Sequence, residues 1–142
     1  MSLVAWKKEF YPVPASRIKT DVMALKHAIR KFTGAKPKNL KKHGVSLSTG
    51  TIYVCKPTVR SFSFDNSTCA LCCVHSTKDQ DYYVRCQACP LHIYTRSCTN
   101  GGRVWPFAIF INLDNPNPML KALKRVLRNV QEAKKHELSK GA

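Results

Sequence analysis

The chain has 142 residues and carries 24 Lys and Arg against 8 Asp and Glu, a formal net charge of +16. A hydrophobic fraction of 44% is too high for a disordered chain, and this length implies one domain with a modest core. The cationic excess points to a polyanionic partner (DNA, RNA or an anionic surface), and no stretch approaches the ~18 apolar residues of a membrane span.

The N-terminal sequence MSLVAWKKEFYPVPAS has no apolar run long enough for a signal peptide, so the expectation is a cytoplasmic protein. Residues 1–16 read as an irregular lead-in, because Pro12 and Pro14 discourage regular structure; Trp6, Phe10 and Tyr11 read as aromatics that pack on the body. Residues 17–33 read as an amphipathic helix. Ile18, Val22, Leu25, Ile29 and Phe32 recur at the spacing of one helical face, with Lys19, Lys26, Arg30 and Lys31 on the others. Thr20 is the expected N-cap, Asp21 suits the first turn, and Gly34 suits the position just past the C-terminus.

From Arg17 to His43 there are nine Lys and Arg and one acid. Within this segment Lys36, Lys38, Lys41 and Lys42 form a basic run, which reads either as a solvated loop or as a surface that tracks phosphates. Thr51–Cys55 is β-branched and aromatic, and Ser61–Phe64 alternates so that Phe62 and Phe64 share a face. These two stretches predict a β-hairpin, with Cys55 as a small buried hydrophobe in its first strand.

Six of the seven cysteines follow, between Cys69 and Cys98. Cys69/Cys72 and Cys86/Cys89 are two Cys-x-x-Cys pairs separated by thirteen residues, slightly closer than the roughly 15–20 of many zinc sites. Two such turns can direct four thiolates at one zinc ion. Asp79–Asp81 reads as a polar turn and Tyr82–Arg85 as a strand delivering Cys86. Cys98, nine residues after Cys89, is a candidate replacement for one of the four, and His75 a weaker one. Cys73 adjoins Cys72 and reads as structural, since adjacent side chains seldom reach one ion. Buried thiols without metal, an iron–sulfur cluster and a redox Cys-x-x-Cys are the competing readings. Ferredoxins space their cysteines more tightly, and no thioredoxin-like βαβ pattern surrounds either pair. An odd cysteine count in a cytoplasmic chain also disfavours a disulfide framework.

Asn100–Gly102 reads as a loop. The apolar run Val104–Ile111 reads as a short helix with Pro106 in its first turn. Residues 118–138 form the clearest helix, with Asn117 as cap and Pro118 at its first position. Met119, Leu120, Leu123, Val126, Leu127 and Val130 make one face, and Lys121, Lys124, Arg125 and Arg128 fall mostly on the other; the last residues are expected to fray.

The run Cys69-Ala-Leu-Cys72, Cys86-Gln-Ala-Cys89-Pro90-Leu91, Cys98, Trp105-Pro106-Phe107 and Asn115-Pro116-Asn117-Pro118-Met119 resembles a family of small phage-encoded zinc-binding proteins with a CxxC…CxxCPL…C pattern. Ala70 stands where that pattern prefers proline, and the likeness covers residues 69–127. The resemblance implies zinc, Cys98 as an alternative ligand and a phage source, hence the host cytoplasm. It implies no catalytic activity.

The expected architecture is an α+β single domain over 1–142. It comprises a basic helical part (1–50), a zinc module with treble-clef or ribbon-like knuckles and a β-hairpin (51–116), and a basic C-terminal helix (117–142). An enzyme is not expected. No His-x-Glu precedes a Pro-Cys-x-x-Cys, no glycine-rich phosphate loop is present, and the few acids are scattered. The expected function is binding of DNA or RNA through non-specific phosphate contacts from Lys36, Lys38, Lys41, Lys42, Lys121, Lys124, Arg125 and Arg128. The alternative is a phage-encoded factor that binds and modulates a host protein.

Overall fold

The computed structural model describes residues 2–55, 60–65, 67–75, 89–95 and 106–140. The expected turn at 79–81, the strand at 82–85, the loop at 100–102, and Cys86, Cys98, Val104 and Trp105 lie outside these residues. The described part is α+β, with a three-stranded antiparallel sheet flanked by helices.

The chain begins with a helix, α1 (Leu3–Phe10), where an irregular lead-in was expected. Ser2 starts it by accepting the Ala5 N–H at 3.1 Å. Trp6 and Phe10, one turn apart, are buried along its inner face. Pro12 and Pro14 lie beyond the helix, so they end it rather than prevent it. A 3₁₀ turn at Ala15–Arg17 leads to α2 (Asp21–Thr33). Thr20 caps α2 by accepting the Met23 N–H at 3.3 Å.

The buried face of α2 comprises Ala24, Leu25, Ala28, Lys31 and Phe32, while Ile18, Val22 and Ile29 are only half-buried. Lys31 is therefore a core residue, against the expectation that it lies on an outer face. Gly34 ends the helix in right-handed conformation, φ −64°. It is needed there for space, not for a left-handed turn. A Cβ at this position would lie 2.6 Å from Phe10 and 2.7 Å from Trp6, and the Trp6 indole donates to the Gly34 carbonyl at 2.9 Å.

The basic run folds as α3 (Pro37–His43) with Pro37 in its first turn, not as a loop. The sheet follows as β1 (Ser46–Ser48), β2 (Thr51–Tyr53) and β3 (Ser61–Ser63), in that spatial order. The expected hairpin is thus β2 and β3, the second turn of a three-stranded meander that β1 completes. Thr49 and Gly50, both at positive φ, make the two-residue β1–β2 turn that suits the strands' right-handed twist. Cys55 lies past the end of β2 and is exposed, so it is not the buried hydrophobe expected.

Leu47, Ile52 and Phe62 pair across the three strands and share one face, which Phe64 extends two residues further on. That face meets an aromatic cluster. Ring centroids lie 5.2 Å apart for Trp6–Phe62, 5.0 Å for Phe32–Phe64 and 4.9 Å for Phe64–Phe110, tilted in each case. Each such pair adds about 0.5–1.5 kcal/mol beyond its area burial.

Three short helices complete the body: α4 (Ala70–Val74), α5 (Pro90–Thr95) and α6 (Pro106–Leu113), the last as expected from Pro106. The long helix α7 (Asn117–Lys140) packs chiefly on α2 and buries Met119, Leu120, Leu123 and Val126. Asn117 falls inside its first turn rather than at the cap, and its N–H is taken by the Asn115 side chain at 3.1 Å. The helix stays regular to Lys140, where fraying was expected. One core cluster runs from Trp6 to Val126.

Candidate metal centre and basic surfaces

The first Cys-x-x-Cys pair is set by a turn. Asp65 Oδ1 accepts the N–H groups of Ser67 and Thr68 at 2.9 and 3.3 Å, and Thr68 Oγ1 donates to the Ser63 carbonyl at 2.7 Å. This ties the end of β3 to Cys69, the residue that opens α4. The Cys72 thiol and the backbone N–H groups of Cys72 and Leu71 hydrogen-bond to the Cys69 sulfur. The Cys72 hydrogen bond is the strongest influence on Cys69, and the Lys31 ammonium acts in the same direction. Together they outweigh burial and bring its pKa down to about 5. These contacts favour the thiolate of Cys69, the form that binds metal.

Cys69, Cys72 and Cys89 line one cavity of about 180 Å³, with Lys31 and Asp65 in the same wall and Phe32, Phe64 and Leu123 among its apolar lining. The helix α5 begins at Pro90, immediately after Cys89, and packs on α7. The donor chemistry of this wall suits zinc, which favours soft thiolates. Among the described residues, however, no three Cys, His, Asp or Glu side chains come close enough together to hold an ion. Cys86 and Cys98, the other expected ligands, lie outside those residues.

The other residues of the cluster have separate partners. Cys73 donates to the Ser67 carbonyl at 3.8 Å, and burial pushes its pKa up, aided by the Cys69 charge. His75 pairs through Nε2 with Asp21 Oδ1 at 2.6 Å, which bridges the end of α4 to the start of α2.

The main feature that sequence reasoning missed is Lys31. It is 1% exposed, its Nζ donates to the Thr68 carbonyl at 2.9 Å, and it lies over the rings of Phe32 and Phe64 at 5.2 and 5.1 Å. Burial pushes its pKa down, and the charges of Cys69 and Cys72 push it back up. A signal was present: Ala24, Ala28 and Lys31 follow one another at helical spacing, and the two small residues leave room for a long stem beside them.

The candidate phosphate-binding residues fall into two groups. On α7, Lys121, Lys124, Arg125 and Arg128 are all exposed, at the i, i+3, i+4, i+7 spacing of a single stripe. This stripe lies opposite the buried Met119, Leu123 and Val126. On α3, Lys38, Lys41 and Lys42 are exposed and Lys36 is half-buried. Lys42 is bound to Glu9 at 2.9 Å, and His43 meets the same carboxylate at 2.6 Å. Those contacts, Lys42 first, hold the Glu9 pKa below its ordinary value.

The remaining described acids in the body are engaged as well. Asp21 meets His75, Asp65 holds its own turn, and Asp114 accepts the Thr49 N–H at 3.0 Å. Among the described residues no helix is long and apolar enough to cross a membrane. No protein-family model, curated protein or solved structure matches this chain.

Proposed function

We propose that this protein is a non-enzymatic, zinc-stabilised module that holds nucleic acid by its phosphate backbone. The observation that carries the reading is the α7 stripe of Lys121, Lys124, Arg125 and Arg128, exposed opposite the helix's buried face in a chain of net charge +16. A row of cations on a rigid helix neutralises successive phosphates and releases counterions without reading bases. Lys38 and Lys41 add contacts from α3. Lys42 and Lys36 contribute less, one because Glu9 holds it and the other because it is half-buried.

In this reading Cys69, Cys72, Cys86 and Cys89, or Cys98 in place of one of them, would be the zinc ligands; Cys69, Cys72 and Cys89 line one cavity, and a bound ion would have to draw them closer together. A bound metal would be structural, tying α4, which packs on α2, to α5, which packs on α7. Among the described residues Asp21, Glu9, Asp65 and Asp114 lie apart, each engaged with its own neighbours, and they form no carboxylate cluster. A phage source accords with the cysteine pattern.

A second reading has an observation of its own. From Glu132 to Lys140 the long helix is exposed on every side, and Leu138 is 76% exposed. The helix as a whole carries seven Lys and Arg against two Glu, and such a cationic rod also suits a factor that grips a host protein with an acidic surface. Two measurements test the proposal. Native mass spectrometry should find one zinc per chain, and a labelled duplex or RNA should bind with an affinity that falls steeply as salt rises. Weak salt dependence would sink the phosphate-binding reading, and a chain with no metal would sink the zinc centre.

A further inference from the structure

Residues 1–43 carry eleven Lys and Arg and two acids, Glu9 and Asp21, and Asp21 is taken by His75. Glu9 stands in the last turn of α1, where the negative end of the helix disfavours an acid. Groups from two other helices hold it there. Lys42 Nζ lies 2.9 and 3.0 Å from its two carboxylate oxygens, and His43 Nε2 donates to Oε2 at 2.6 Å. Arg30, from α2, donates through Nε to the Glu9 carbonyl at 2.5 Å. His43 is the fixed member of the set. Its side chain is 12% exposed, its ring meets Phe10 edge-on at 5.9 Å, and its carbonyl accepts the Ser2 N–H at 3.0 Å. Lys42 and Glu9 remain open to solvent, and an ion pair of that kind adds little stability and yields readily to a competing anion.

We propose that Arg30, Lys42 and His43 form a latent phosphate-binding site at the junction of α1, α2 and α3, which the Glu9 carboxylate closes in the free protein. The proposal rests on the phosphate-binding reading above and adds to it a site and the residue that masks it. The two Glu9 oxygens mark where anionic oxygens sit against Lys42 and His43, and a phosphodiester presents two such oxygens in their place. An ammonium and an imidazole N–H donate to phosphate as they do to carboxylate, so the exchange needs no proton transfer. Arg30 uses one of the five N–H groups of its guanidinium on the Glu9 carbonyl and keeps the others for the incoming anion. Exchanging one carboxylate for one isolated phosphate gains little, and it strands the Glu9 charge beside another anion. A run of phosphates gains more, because Lys38 and Lys41 are exposed on the same helix as Lys42 and act with it. Glu9 thus makes the site selective for a polyanion over a single phosphate.

The experiment titrates a labelled DNA duplex with full-length wild type, Glu9→Gln, Lys42→Gln, the Glu9→Gln/Lys42→Gln double variant and Glu137→Gln. Glutamine keeps the size of Glu9 and an oxygen acceptor while losing the charge. Glu137→Gln removes the same charge from the last turns of α7. Freeing Lys42 for one phosphate should steepen the slope of log K against log salt by about 0.9 in Glu9→Gln. Its affinity advantage over wild type then grows about 3.5-fold from 200 to 50 mM salt. Glu137→Gln should keep the wild-type slope, and the double variant should show no gain over Lys42→Gln alone. A wild-type slope in Glu9→Gln, or a gain that survives in the double variant, overturns the proposal. Wild-type protein gives an independent reading by NMR: binding the duplex should shift the His43 imidazole resonances as Glu9 gives way. Unmoved His43 signals with duplex bound overturn the proposal even if Glu9→Gln fails to fold. Wild-type binding that is insensitive to salt refutes the phosphate-binding reading itself, whereas salt-dependent wild-type binding with an unresponsive Glu9→Gln refutes the latent site alone.

Discussion

Neutralising the α7 stripe tests the proposed function most directly. Lys121, Lys124, Arg125 and Arg128 are exposed and lie opposite the residues that pack on α2, so changing all four to glutamine leaves the core untouched. Surface changes of this kind usually alter stability by about 0.5 kcal/mol or less each. The effect on binding is far larger. If all four contact phosphates, they account for about 3.6 of the slope of log K against log salt on duplex DNA and about 2.8 on a single strand. Between 50 and 200 mM salt that difference amounts to about a hundredfold in affinity on a duplex. Fluorescence anisotropy with labelled oligonucleotides, titrated across that range, measures it for both substrates.

Lys42 provides the internal comparison. Its ion pair with Glu9 at 2.9 Å must be surrendered before it meets a phosphate, so Lys42→Gln is expected to change the slope by less than Lys41→Gln. A quadruple variant that folds normally and keeps the wild-type slope would refute the assignment of the stripe.

Two further predictions concern the body that carries the site. Gly34→Ala places a methyl group within 2.6–2.8 Å of Phe10 and Trp6, and overpacking on this scale costs about 1–3 kcal/mol, seen as a lower Tm; an unchanged Tm would show that α1 does not pack on α2 this closely. His27 donates through Nε2 to the Val13 carbonyl at 2.7 Å, while its buried Nδ1 has no partner, and burial holds its pKa below the ordinary 6.5. The folded state therefore prefers neutral imidazole: this stability is complete above pH 6.5 and is lost as pH falls through the lower folded value. The depressed Cys69 pKa acts with the same sign between about 5 and 9, so thermal melts from pH 7.5 to 5.5 are to be compared with His27→Gln, which should lose less on acidification. An NMR titration midpoint for His27 at or above 6.5 would contradict the burial argument.

Much of this protein could be read from local pattern. The α7 helix was legible because six apolar residues repeat at helical spacing between a proline signal and a charged tail, and the cations fill the opposite face. Thr20 as a cap, Pro106 in a first turn, and Phe62 and Phe64 on one face follow from chemistry acting over two to four residues, and the structure shows each of them. The spacing of Cys69 and Cys72 predicts a shared metal, and among the described residues both sulfurs line one cavity without forming a metal-binding group.

What only the tertiary structure decided depends on residues far apart in the chain. The helix α1 is eight residues long, too short to declare itself by periodicity, and Trp6 and Phe10 gain their place by packing on Gly34 and the sheet. Strand β1 carries a single apolar residue, Leu47, and its identity comes from pairing with Ile52. Lys31 offers the clearest case. Its intrinsic chemistry assigns it to solvent, and a helical stripe drawn from apolar residues alone passes it by. A carbonyl 37 residues away, two aromatic faces and a wall of thiols reverse that preference, because together they offer a buried ammonium what water would have supplied.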